Sequence, residues 1–291
     1  MGVFSEIRAT WGFLVLLAIA DALGLVIGGV SVALTPALFV AGAVTLLLFI
    51  AKIYNDIRPD PRLAVFAFTG AQMLAYTALA GILSYLLTMT GRPLIDSWLV
   101  EADRRLGFDW LAIYRGAQRK ETLPFVLKAL YFSLIPQLLL VELFLFTKGR
   151  LERGRELFWL FVLTSLGCIL IGGLFPAGGA FVTYGVTTDE AYVRDFLALR
   201  EGAMPIFNLA TMQGVVQFPS FHLALAVILI YAVRDYSFLF FLLLILNAGV
   251  VAATPFIGGH HLTDLLGGAL VTVVARLILE KGIPPFHRLT R

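Results

Sequence analysis

Long stretches of apolar residues broken by short polar turns dominate this chain, and neither a helical nor a strand period overrides them. Runs near the ~20 residues that a helix needs to cross a bilayer fall at Trp11 to Gly29, Ala33 to Tyr54, Ala64 to Thr88, Pro124 to Thr147, Leu157 to Gly173, Ser220 to Val233, Phe238 to Thr254 and His260 to Leu279. The sixth is the shortest. These runs predict an all-α fold, a polytopic membrane helix bundle of about eight transmembrane helices. Residues 1–63 read as an N-terminal hairpin and 64–291 as a six-helix core. Two long stretches span nothing. In 92–121, Leu94, Trp98, Leu99, Ala102, Leu106 and Trp110 recur at near-helical spacing, which predicts an amphipathic segment on the membrane surface, able to shape a lipid entrance. In 180–217, Gly, Thr and acidic residues surround a short helical pattern, which predicts a loop able to cover a site.

Composition strengthens the membrane reading: 59% of the 291 residues are hydrophobic and only 14% charged, outside the range of soluble domains. A net charge of +3, scattered among the spans, gives no basic face for nucleic acid. The single cysteine, Cys168, sits inside an apolar run and can form no intrachain disulfide. Trp11 to Val30 is followed by further spans rather than by a cleavage site and soluble domain. Eight crossings put both termini on one side. That side collects Arg8, Lys52, Arg58, Arg62, Lys148, Arg150, Arg153, Arg155, Arg234, Lys281, Arg288 and Arg291, which predicts that it is cytoplasmic.

Candidate chemistry concentrates between Gln217 and Asp264, where three of the four histidines lie. Phe218-Pro219-Ser220-Phe221-His222 opens one apolar run, and Thr254-Pro255-Phe256-Ile257-Gly258-Gly259-His260-His261-Leu262-Thr263-Asp264 closes the return passage, so both clusters finish on the extracytoplasmic face. His260 and Asp264 are four residues apart; on a helix starting near Gly259 the carboxylate would hold one ring nitrogen and leave the other as nucleophile or base. His222 is then placed as a general acid. Pro219 suits a first helical turn, and Gly258-Gly259 permits close backbone approach to a phosphate. Clustered ionisable groups near a bilayer favour function over packing. Two rivals use the same residues: a metal site with His222, His260 and Asp264 as ligands, and a transporter in which the histidines relay protons. Against the transporter, no internal repeat is visible and the histidines lie near one membrane face. His261 either contacts the phosphate or faces headgroups. Asp21 and Glu142 lie within spans without surrounding motifs.

Pro219-Ser220-Phe221-His222 resembles the P-S-G-H motif of the type 2 phosphatidic acid phosphatase superfamily, and His260 to Asp264 resembles the end of its S-R-x5-H-x3-D motif. The Ser-Arg positions of that motif fall on Ala253 and Thr254, and its K-x6-R-P motif is absent. These departures resemble the branch of inositol phosphorylceramide synthases and their bacterial relatives. So do Gly91-Arg92-Pro93-Leu94-Ile95-Asp96, Leu106-Gly107-Phe108-Asp109-Trp110, Tyr131-Phe132-Ser133-Leu134-Ile135-Pro136-Gln137 and Phe175-Pro176-Ala177-Gly178-Gly179. The resemblance implies a lipid phosphatase or phosphotransferase of a bacterial inner membrane, with a core of six helices. His260, oriented by Asp264, attacks a lipid-linked phosphoester, His222 protonates the leaving group, and water or a lipid or sugar alcohol takes the phosphoryl group. It implies no metal and no cofactor. Ser220, Thr254, Gly259 and His261 are candidate phosphate contacts, and Lys128, Tyr131 or Arg92 candidate replacements for the missing basic residues.

Overall fold

The computed structural model describes residues 3–188 and 190–282. His287, Arg288 and Arg291 lie outside the described residues. In chain order the elements are α1 (Val3–Gly28), β1 (Ser31–Val32), α2 (Leu34–Lys52), a π-helical turn (Ile53–Ile57), α3 (Pro61–Thr88), α4 (Asp96–Arg105), α5 (Trp110–Gln118), α6 (Leu123–Phe132) and α7 (Leu134–Thr147). They continue as α8 (Leu151–Leu174), α9 (Gly179–Thr183), α10 (Ala191–Arg200), β2 (Ile206–Phe207), α11 (Phe221–Ala232), α12 (Ser237–Ile257) and α13 (Leu262–Gly282).

The fold is an all-α polytopic membrane bundle. Among the described residues, seven helical stretches are long and apolar enough to cross a membrane. Helices suit that solvent because each satisfies its own backbone groups where lipid offers no partner. Large apolar side chains such as Phe238 and Leu270 are exposed along the spans, as lipid contact allows. The expected sixth span is α11, only 12 residues. At ~1.5 Å per residue it extends about 18 Å, short of a hydrocarbon core about 30 Å thick.

The chain forms two compact units, Met1–Gly91 with Glu190–Val215, and Arg92–Asp189 with Val216–Arg291. The apolar pattern predicts a division after residue 63, with α3 in the core; by packing, α3 goes with the first two helices. In this first unit β1 pairs in parallel with β2, Ser31 opposite Ile206 and Val32 opposite Phe207. The Tyr85 hydroxyl donates to Asp195 (2.7 Å) and accepts from the Gln213 amide (2.8 Å), tying 190–215 to α3.

In the second unit α8, α11 and α13 pack together, α11 also lies against α12, and α12 lies against α6. The predicted fourth span breaks at Ser133 because Pro136 has no amide to bond the Phe132 carbonyl. Ser133 Oγ donates to the Leu130 carbonyl (2.6 Å) and accepts from Gln137 (2.9 Å), while Gln137 accepts from Asn247 (2.7 Å) of α12. This network fixes the end of α6, and with it Tyr131.

Candidate active site

α12 ends at Ile257, and Gly259 adopts φ +63°, a left-handed backbone that glycine enters without penalty. The next helix begins at Leu262, not near Gly259 as the spacing suggested. Asp103 of α4 explains the shift. Its carboxylate accepts the Leu262 amide (3.1 Å), the Thr263 amide (2.9 Å) and the Thr263 hydroxyl (2.6 Å), capping α13 at that point. His260 therefore precedes the helix rather than sharing its face. It reaches Asp264 all the same, with Nδ1 3.2 Å from Oδ2. The same oxygen accepts the His261 amide (2.8 Å), which closes the turn around the carboxylate.

His222 enters from the first turn of α11, its ring 6.0 Å from that of His260. Tyr131 stacks on it at 4.3 Å, with the hydroxyl 3.4 Å from Nδ1. A Cβ on Gly258 would sit 2.8 Å from His260 Cδ2 and 3.0 Å from the Tyr131 oxygen, so glycine there lets these groups converge. Pro219 precedes α11 rather than opening it, since the helix starts at Phe221 behind Ser220. The Ser220 amide donates to the Asp264 carbonyl (2.9 Å), and a Cβ on Gly268 would overlap the Ser220 carbonyl. Glycine at 268 thus lets the starts of α11 and α13 touch, bringing His222 beside His260.

Burial decides the charges in the turn. His260, 2% exposed, is held down to about 3 by loss of water and by the neighbouring His261, so it is neutral near pH 7. In the tautomer with its hydrogen on Nδ1, the neutral ring donates to Asp264 and keeps an unshared pair on Nε2. His261 goes the other way. Burial opposes its charge, but Asp103, 3.1 Å from Nδ1, with Asp264 and Asp96 raises it above the ordinary histidine value. Asp103 is held below the carboxylate range: burial pushes it up, and bonds from His261 and Thr263 outweigh that.

Asp96 and Asp103 were not singled out by the sequence reading as site residues. Asp96 does for α9 what Asp103 does for α13, accepting the Gly178 (3.0 Å) and Gly179 (2.9 Å) amides and the Thr183 hydroxyl (2.8 Å). The Ala180 amide in turn donates to the Gly259 carbonyl at 2.6 Å. Asp96, Leu99 and Asp103 form the buried face of α4, whereas Trp98 and Leu106 are exposed. In α5, the Trp110 indole donates to the Pro255 carbonyl (2.9 Å), one of the acceptors left over where α12 ends.

The remaining expected residues divide. Ser220 Oγ is buried and, among the described residues, has no hydrogen-bond partner; the same holds for Gln217 Oε1, Asp264 Oδ1 and His261 Nε2. Thr254 is buried, with its hydroxyl proton given to the Val250 carbonyl (2.8 Å). Lys128 is exposed, its amine 6.0 Å over the Phe132 ring, and Arg92 is exposed ahead of α4. Among the described residues no group of three or more His, Cys, Asp or Glu side chains is arranged to hold a metal ion.

Residues 97–278 match the family model described as the PAP2 superfamily, a stretch running from α4 to the last turns of α13. No curated protein and no solved structure matches the chain.

Proposed function

Since this chain belongs to the PAP2 (type 2 phosphatidic acid phosphatase) superfamily, whose activity is that of a phosphatase or phosphotransferase on lipid phosphates, we propose that it works through a phosphohistidine formed on His260. The observation that carries the reading is the pairing of a neutral, Asp264-held His260 with His222 6.0 Å away. The Nε2 lone pair of His260 attacks phosphorus, the ester P–O bond breaks, and a proton on His222 passes to the leaving oxygen. In the second half the acceptor hydroxyl gives its proton to His222, its oxygen takes the phosphorus, and the N–P bond breaks to restore His260. Water makes the enzyme a phosphatase; a lipid or sugar alcohol makes it a transferase of the inositol phosphorylceramide synthase kind.

Tyr131, beside His222 Nδ1, holds the ring of the acid, and Gly259, with no side chain in the way, lets backbone approach the phosphoryl group. Ser220 Oγ, buried and unpartnered among the described residues, supplies a further donor. Lys128 and Arg92, exposed in the free protein, remain proposed as replacements for the missing phosphate-binding basic residues. The positive-inside pattern favours an extracytoplasmic site, and the resemblance to bacterial relatives favours a bacterial inner membrane.

The test is incubation of purified protein with labelled lipid phosphates and phospholipids, with and without alcohol acceptors. The proposal expects free phosphate or a new phosphodiester, lost in His260→Ala. In His222→Ala, formation of the phosphoenzyme should be much less impaired for substrates with a good leaving group, since that step lacks only protonation of the leaving oxygen, while its breakdown stays slow. Turnover that survives His260→Ala contradicts it.

A further inference from the structure

We propose that Asp103, from the surface helix α4, is a positioning residue that keeps His261 cationic and its Nε2–H directed at the phosphoryl group, in place of the arginine that the superfamily motif carries where this chain has Thr254. The inference deepens the phosphoryl-transfer reading and rests on it.

A phosphoryl group in transfer spreads negative charge over its oxygens, and one lost donor to such charge typically costs about 10²–10³ in rate. At the motif position Thr254 cannot serve as that cation: it is uncharged and its hydroxyl proton is bonded to Val250. His261 is placed to serve. Its ring is fully buried next to His260, Nδ1 is 3.1 Å from Asp103, and Nε2 is buried with no partner among the described residues. An imidazolium held at Nδ1 by a carboxylate has one N–H left to give, and an unmet buried donor is costly until an acceptor arrives. A phosphate oxygen is such an acceptor.

Asp103 is more than a helix cap. A cap needs the Leu262 and Thr263 amides; the same carboxylate oxygen that takes Leu262 also takes His261 Nδ1. The charged groups facing His261 are Asp103 and Asp96 from α4, Asp264 from α13 and the neutral His260 beside it, while Tyr184, after α9, stands 6.3 Å from its ring. Three carboxylates surround one imidazole, and the shift of His261 above its ordinary value follows. Removing the nearest of them should bring its titration down, because an adjacent opposite charge favours the charged ring.

Full-length protein in detergent provides the test, with inorganic phosphate as the binding probe and a soluble short-chain lipid phosphate for turnover. His261→Gln should weaken phosphate binding at least tenfold and lower kcat by about 10²–10³. Asp103→Asn keeps a carbonyl for the Thr263 bonds; it should move the alkaline limb of the kcat pH profile to lower pH, and should add little in a His261→Gln background. In wild-type protein, a histidine nitrogen NMR signal assigned by its loss in His261→Gln should shift when phosphate is added. An unmoved limb in folded Asp103→Asn overturns the proposal, as does phosphate affinity within twofold of wild type in His261→Gln, or an Nε2 signal indifferent to phosphate. The NMR result decides even if Asp103→Asn fails to fold. Failure of the underlying reading looks different: His260→Ala would keep turnover while phosphate binding still depended on His261.

Discussion

Gly268 offers the sharpest structural test of how the two histidines are brought together. A Cβ there would overlap the backbone carbonyl of Ser220, and backbone cannot rotate aside. Gly268→Ala must therefore push the start of α11 away from α13. Overpacking of this kind costs about 1–3 kcal/mol, against which alanine returns up to about 1 kcal/mol of helix propensity. The net loss in stability is about 0–3 kcal/mol. The loss in rate should be larger in kind, because the displaced backbone carries His222 two residues on, and a misplacement of about 1 Å can cost about 10²-fold. Gly267→Ala is the matched control: its Cβ meets the Phe218 ring at 2.8 Å and Pro219 at 3.2 Å. A ring can yield, so turnover should stay within a few-fold. Gly116→Ala in α5, with nothing within 4 Å, should be neutral or slightly stabilising. Purified variants would be compared by melting in detergent and by turnover on a lipid phosphate. Equal turnover in Gly268→Ala and Gly267→Ala would refute the claim that the α11–α13 contact sets the distance between the histidines.

Further outcomes follow from the same geometry. Trp110→Phe keeps the aromatic stack but leaves the Pro255 carbonyl unmet, which should cost about 1–3 kcal/mol in unfolding experiments; an unchanged melting curve would remove Trp110 as a support of the turn. Because His260 titrates at about 3 folded against 6.5 unfolded, the unfolded chain binds the proton first as pH falls. Stability contributed by the neutral ring is thus complete above about 6.5 and lost toward about 3, and His260→Gln should flatten the acid side of the melting profile. Cysteines at Gly149 and Gly185 should label from opposite faces with an impermeant thiol reagent; external labelling of Gly149 would reverse the proposed orientation. A phosphohistidine route needs no cation, so activity should survive prolonged chelation, whereas loss restored by zinc or manganese would favour a metallohydrolase on the same histidines.

The bundle was legible in the apolar runs because a bilayer demands about 20 such residues wherever a helix crosses. His222, His260 and Asp264 were legible because ionisable groups at the ends of apolar runs stand out. The helix start at Leu262 was not, since the side chain that sets it, Asp103, comes from far earlier in the chain and acts only through tertiary contact. A local signal did exist in α4: Asp96 and Asp103 lie seven residues apart on the face of Leu99, where an amphipathic helix should be apolar. Two acids on a buried stripe are costly unless they meet helix amides, and here they meet those opening α9 and α13. The family-like stretch around Leu106 to Trp110 gained its reason in the same way. Gly107 at φ +72° turns the chain out of α4, Asp109 caps α5 at the Ala112 amide (3.0 Å), and Trp110 reaches Pro255. Division of the chain after Gly91 was hidden because nothing in the composition of α3 tells which neighbours it packs against.

The central claim is that His260 carries the phosphoryl group. Rapid quenching of the purified protein with a substrate labelled at phosphorus, followed by peptide mapping of acid-labile, base-stable label, tests it most directly. The account predicts label on the peptide holding His260, present in wild type, accumulating when His222→Ala is given a substrate with a good leaving group, and absent in His260→Ala. Steady turnover without any trapped label on that peptide, or label that persists in His260→Ala, would contradict it.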